Sequence, residues 1–132
     1  MKAISSPWAL MLPMKTKPPK RYAMSLGNYR NSHHRINNQA KRYYEDLLAP
    51  QVKKLKVYKN PIKISFTIYP PSRRRYDLDN YGSVTAKYFQ DTLVIYGKIK
   101  DDDASHIVEL VFLPGSVDKK NPRIDIVIEE TL

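Results

Sequence analysis

The stretch Ile62-Lys63-Ile64-Ser65-Phe66-Thr67-Ile68 alternates apolar and polar residues without a break. Successive side chains of a strand point to opposite faces, so this pattern predicts a β-strand with one face on a core and the other toward water. Pro70-Pro71 stops it, because proline cannot donate to a ladder. The rest of the chain must cover that one apolar face and pair that backbone.

The remaining pattern predicts how. Residues 8–14 read as a short apolar strand, and residues 15–35, rich in Lys, Pro, Arg, Asn and His, as a basic loop or mobile arm. Asn37 or Asn38 is placed to cap a helix running to about Leu48 and ending before Pro50. A second helix is expected from Asn80 or Ser83 to Tyr96. Val84, Tyr88, Leu93 and Ile95 lie on its apolar side, Ser83, Lys87 and Asp91 on its polar one, and Gly97 ends it. His106–Leu113 and Arg123–Glu129 read as strands of a hairpin joined by a polar loop. The order β-α-β-α-β-β predicts an α+β fold, a small mixed sheet with two main helices, in one domain spanning residues 1–132.

The absence of cysteine excludes a disulfide scaffold, a thiolate zinc site and a cysteine nucleophile. Trp8 to Met14, interrupted by Pro13, is too short to span a bilayer. The first residues lack the pattern of a signal peptide, so a soluble intracellular protein without a membrane partner is expected.

Charge is segregated along the chain. Residues 1–76 hold 17 Lys and Arg against two acids, Glu45 and Asp46, whereas residues 77–132 hold six against eleven. The net charge of +10 attracts polyanions, nucleic acid first among them. Yet six of the 13 acids, Asp77, Asp79, Asp91, Asp101, Asp102 and Asp103, fall just behind Arg73-Arg74-Arg75. Aspartate oxygens suit Mg²⁺ or Mn²⁺. Two unneutralised carboxylates about 4 Å apart cost on the order of 4 kcal/mol at an effective dielectric of 20, which a cation removes. If Asp77 and Asp79 lie in extended chain, their spacing points both to one face. Asp102 or Asp103 would complete the group if the two segments adjoin. The plainer reading makes Asp77 and Asp79 helix caps and residues 101–103 a solvated turn.

The run Arg73-Arg74-Arg75-Tyr76-Asp77-Leu78-Asp79-Asn80, followed by Lys87, Asp91-Thr92-Leu93 and Asp102-Asp103-Ala104, resembles the signature of the RusA-type Holliday-junction resolvases. Ile107–Leu113 and Arg123–Glu129 resemble that family's terminal hairpin. The resemblance implies a homodimeric, Mg²⁺-dependent endodeoxyribonuclease that cuts four-way junction DNA by paired phosphodiester hydrolysis during recombination and repair. It further implies no organic cofactor and a place in the cytoplasm of a bacterial or phage-infected cell. The catalytic aspartates carry over onto Asp77, Asp79 and Asp103, with Asp102 as the neighbouring metal candidate. The family's lysine normally stands four residues after the second aspartate, where this chain has Ser83. Lys87 takes that place if four residues loop out around Tyr81 to Val84; otherwise it forms an ion pair with Asp91. Where an asparagine is common in the family, Pro18-Pro19 is followed here by Lys20-Arg21-Tyr22.

In this scheme Asp77, Asp79 and Asp103 hold metal and Lys87 stabilises charge on the phosphate. Arg73, Arg74 and Arg75 grip the DNA backbone, and Lys15, Lys17, Lys20, Arg21, Arg30 and Arg35 form an arm that orders on DNA. Arg-flanked Tyr22, Tyr29 and Tyr76 are candidates for stacking on unpaired bases, whereas Tyr43, Tyr88 and Tyr96 read as core. His33-His34 reads as a solvated pair. The alternative is a basic DNA- or RNA-binding module without catalysis, which would gain nothing from carboxylates beside phosphate.

Overall fold

A computed structural model describes residues 3–131. The alternating stretch forms a strand over Ile62–Tyr69, and its burial alternates as its sequence does. Ile62, Ile64, Phe66 and Ile68 are buried, while Lys63, Ser65, Thr67 and Tyr69 are half-exposed. In chain order the elements are β1 (Ile4–Pro7), β2 (Ala9–Leu12), β3 (Lys20–Ala23), α1 (Leu26–Asn31), α2 (His34–Val52), β4 (Ile62–Tyr69), α3 (Leu78–Ile95), β5 (Ile107–Pro114) and β6 (Arg123–Glu130). The fold is α+β: a four-stranded mixed sheet in the order β1-β6-β4-β5, and a two-stranded sheet of β2 and β3.

The expected terminal hairpin does not form. β4 lies between β5 and β6, parallel to the first and antiparallel to the second. A strand whose one face is wholly buried must satisfy backbone groups along both edges, and the last two strands supply one each. The loop joining them crosses the end of β4. There Gly115 N–H donates to the Ile68 carbonyl at 2.7 Å and Asp118 N–H to the Pro70 carbonyl at 2.8 Å.

The N-terminal third is more ordered than expected. The apolar segment divides: β1 pairs with β6, and β2 with β3. The segment read as a mobile arm contains β3, α1 and the start of α2, because Tyr22 and Met24 are buried in the core. Helix α2 begins at His34, with the His33 ring nitrogen accepting the Arg35 N–H at 3.2 Å. It runs one residue pair past Pro50, held by buried Leu48, Ala49 and Val52. Tyr44 crosses from α2 to the sheet, where its hydroxyl donates to Ser6 Oγ at 2.9 Å; burial pushes this phenol well above its usual range.

Helix α3 begins at Leu78 and is continuous, so no loop opens at Gly82. Gly82 sits inside the helix because a Cβ there would lie 2.6 Å from Phe112 Cδ1. The helix therefore lies directly on β5, and the Phe89 ring meets Phe66 edge-on at 6.2 Å. Since β4 and β5 are parallel, α3 runs back along them. Its N-terminus stands at the Tyr69 end of the sheet and its C-terminus at the end where Ile62 pairs with Ile107.

Candidate nucleic-acid interface

At the Tyr69 end the chain leaves β4 through Pro70-Pro71 and turns at Ser72, whose hydroxyl accepts the Arg74 N–H at 3.3 Å. The turn leaves Arg73, Arg74 and Arg75 exposed along an open cleft of about 1000 Å³. Arg21 of β3 borders the same cleft, as do Trp8, Tyr76, Asp77, Asn80 and Tyr81. None of these four arginines forms an ion pair among the described residues. Gathered like charges repel, so the cleft is set to attract anions.

Asp77 occupies the N-cap position of α3 in extended conformation, yet its side chain caps nothing. Its backbone carbonyl accepts the Asn80 N–H at 3.1 Å instead. Asp79 lies in the first helical turn. Both carboxylates are exposed and neither has an ion pair or side-chain hydrogen bond among the described residues. Because Asp79 is helical, the shared face expected of an extended Asp-x-Asp does not arise. The helix N-terminus favours negative charge at both positions. Asn80 ties this corner together, its Oδ1 accepting the Leu26 N–H at the start of α1 at 3.1 Å.

The other expected aspartates stand elsewhere. Helix α3 has 18 residues, about 27 Å at 1.5 Å per residue, and Asp102 and Asp103 lie beyond its far end. Asp103 leads into β5, where its carbonyl accepts the Ile107 N–H at 3.0 Å. Its Oδ1 accepts from Ser105 N–H at 3.1 Å and Ser105 Oγ at 2.6 Å, and lies 2.6 Å from His106 Nδ1. These partners, Ser105 Oγ foremost, lower the Asp103 carboxyl to about 2. Asp102 is raised instead, by partial burial first and then by the neighbouring Asp101 and Asp91. Asp77 and Asp79 adjoin in the chain, and Asp102 and Asp103 adjoin, but the two pairs stand at opposite ends of α3. Among the described residues no group of three or more His, Asp and Glu is placed to hold a metal ion.

Lys87 is exposed midway along α3, two turns past Asp79, and the insertion that would return it to the family position is not present. The alternative pairing with Asp91 does not occur either, because Asp91 is bonded to Lys41 of α2 at 3.1 Å. Lys15 and Lys17 lie in the exposed loop between β2 and β3, Lys20 and Arg21 on β3, Arg30 in the last turn of α1 and Arg35 in the first turn of α2. Of these only Arg21 lines the cleft. Tyr22 is core, its hydroxyl 2.8 Å from that of buried Tyr88 and bonded to Asn37 Oδ1 at 2.7 Å. Tyr29 packs edge-on against Tyr88, and Tyr43 and Tyr96 pack against the core as expected. His33 and His34 are exposed.

Trp8 and Tyr81 were not singled out from the sequence. Their rings stack at 4.7 Å with an interplanar angle of 20°, and Tyr76 meets Tyr81 edge-on at 6.1 Å. Only the fold brings Trp8 here: β1 pairs Pro7 with Arg123, which also pairs with Tyr69 of β4. The adjacency of Arg75 and Tyr76 was the one local signal of an aromatic wall.

The chain matches no protein-family model and no curated protein. No helix among the described residues is long and apolar enough to cross a membrane.

Proposed function

We propose that this protein binds branched DNA through the arginine cleft and hydrolyses a phosphodiester there as a Mg²⁺-dependent junction-resolving endonuclease. The observation that carries the proposal is the meeting, in one open cleft, of four arginines and the Asp77 carboxylate, none with an ion-pair partner among the described residues. The guanidinium groups would hold backbone phosphates on either side of the reacting one, which positions the strand without reading its sequence. An aspartate beside bound phosphate is unfavourable unless a cation stands between them. The ordered resemblance over residues 73–104 points to the same chemistry.

Magnesium is commonly held by one or two carboxylates, with water and substrate phosphate completing its shell. Asp77, which lines the cleft and has no side-chain partner among the described residues, fits that mode, and Asp79 stands two residues on in the first turn of α3. The ion would supply Lewis-acid polarisation of the phosphoryl oxygen and an activated water. The third carboxylate is proposed to come from a second copy of the chain. β5 is an edge strand whose Val108, Leu110 and Leu113 are exposed. A second copy pairing antiparallel along that edge would carry the partner's Asp103 toward the Pro114 end, where Asp77 and Asp79 stand.

A second reading, binding without cutting, is favoured by the engagement of Asp103 within its own turn. Cleavage of a synthetic four-way junction in Mg²⁺ decides. Asp77→Asn and Asp79→Asn are each expected to slow cleavage by at least about a hundredfold, the scale for losing an electrostatic stabiliser, while junction binding persists. If the unaltered protein binds junctions tightly but cuts none in Mg²⁺ or Mn²⁺, the second reading holds.

A further inference from the structure

We propose that Trp8, backed by Tyr81, is a platform that takes an unstacked nucleobase of DNA bound in the cleft. This rests on the cleft being a nucleic-acid interface and adds the feature that selects branched or single-stranded DNA over intact duplex. Trp8 is the only tryptophan in the chain. It stands at the corner where the chain leaves β1 for β2 and so passes from one sheet to the other. Strands on both sides hold it, and its side chain packs against the core while the residue stays part-exposed where it borders the cleft. Tyr81 stacks on one face of the indole, and among the described residues no second ring covers the other. Tyr76 props Tyr81 edge-on.

The surroundings match the chemistry of a nucleotide. Arg21 and the Arg73–Arg75 run line the same cleft, so a phosphate held there places its attached base beside the indole. Aromatic platforms flanked by cationic groups bind single strands because every base has a π-face, whatever its identity. A base inside a duplex has both faces covered by its neighbours and cannot reach the indole without unstacking. A base at a branch point or in a single strand has a face to offer. The arginines therefore supply affinity for any DNA, and Trp8 supplies the preference for DNA with unstacked bases.

The lone tryptophan makes its own reporter. The full chain is titrated with a four-way junction, a blunt duplex of equal length and a thymidine homopolymer strand. Trp8 emission is followed beside the anisotropy of labelled DNA. Junction and single strand are expected to quench Trp8 emission, whereas the duplex, bound at low salt, leaves it nearly unchanged. Trp8→Leu is expected to weaken junction binding by about ten- to a hundredfold, the scale of one stacked base, with duplex binding changed by less than about twofold. Trp8→Phe keeps most of the preference. Equal quenching by duplex and junction overturns the platform while leaving the cleft reading intact, as does an unchanged junction-to-duplex ratio in folded Trp8→Leu. No binding of any DNA by anisotropy overturns the cleft reading and the platform with it. The quenching arm needs no substitution, so it stands even if Trp8→Leu folds poorly.

Discussion

Asp103 is ionised more readily than an ordinary aspartate because Ser105 and His106 close a small turn around it. A folded-state pKa depressed to about 2 means that the carboxylate form is bound more tightly in the folded chain than in the unfolded one. Its contribution is complete above the unfolded value of about 3.9 and is lost as pH falls toward about 2. The Asp103 carboxyl resonance is expected to titrate near 2, and Ser105→Ala to move the midpoint up toward the usual range. A wild-type midpoint near the ordinary aspartate value would show the turn to be open in solution. Thr85 is the converse case. It is fully buried in α3 and its Oγ1 has no hydrogen-bond partner among the described residues. An unpaired buried hydroxyl costs free energy, so Thr85→Val is expected to stabilise the protein by about 1 kcal/mol. Denaturant unfolding measures this, and a loss of stability would mean that the hydroxyl is satisfied.

Among the elements, α3 and the loop before it set both the packing and the cleft. In α3, Gly82→Ala removes a helical glycine, which alone would gain about 1 kcal/mol. The new Cβ, 2.6 Å from Phe112 Cδ1, forces the β5 ring aside. Overpacking typically costs about 1–3 kcal/mol, so a net loss of about 1 kcal/mol is expected in urea unfolding. In a Phe112→Leu background, which opens that space, the same substitution should become neutral or favourable. For the arginine loop, each phosphate contact released adds about 0.9 to the slope of log affinity against log salt. Replacing Arg73, Arg74 and Arg75 by alanine is therefore expected to flatten the slope for duplex and junction alike; an unchanged slope would mean that DNA binds elsewhere. These elements also show what was legible in the sequence. The β4 alternation and the Arg73–Asp79 run are local, so periodicity and adjacency revealed them. The pairing of β4 with both later strands was not legible, because any two adjacent strand patterns can suggest a hairpin, and only the need to satisfy two edges decides. β3 was hidden because its one buried residue, Tyr22, lies in a polar stretch, and the start of α2 because a histidine serves as its cap. Trp8 reaches the cleft through sheet register, and element order does not say that Asp77 and Asp103 fall at opposite ends of α3.

At the scale of the whole molecule, that separation becomes a prediction about assembly. The Asp77 end and the Asp103 end of the chain are a helix length apart, and β5, which joins these two ends, is an edge strand with exposed Val108, Leu110 and Leu113. Two-fold symmetry would make a pairing of this edge with itself antiparallel, and each cleft would then meet the Asp103 turn of the other copy. If the catalytic group is shared in this way, neither Asp77→Asn/Asp79→Asn protein nor Asp103→Asn protein cuts junctions alone. Asparagine at 103 keeps the acceptor oxygen that Ser105 N–H uses, so the turn survives the substitution. Mixing the two proteins and letting subunits exchange yields mixed dimers in which one cleft has its own Asp77 and Asp79 and the partner's Asp103. Random exchange makes about half of the dimers mixed, with one competent cleft each, so about a quarter of the wild-type sites should return. Those dimers should nick a junction strand without making the paired cut that resolves it. Mixing that restores nothing, or Asp103→Asn protein that cuts normally alone, would remove Asp103 from the reaction and leave its role to the turn that Ser105 and His106 already explain.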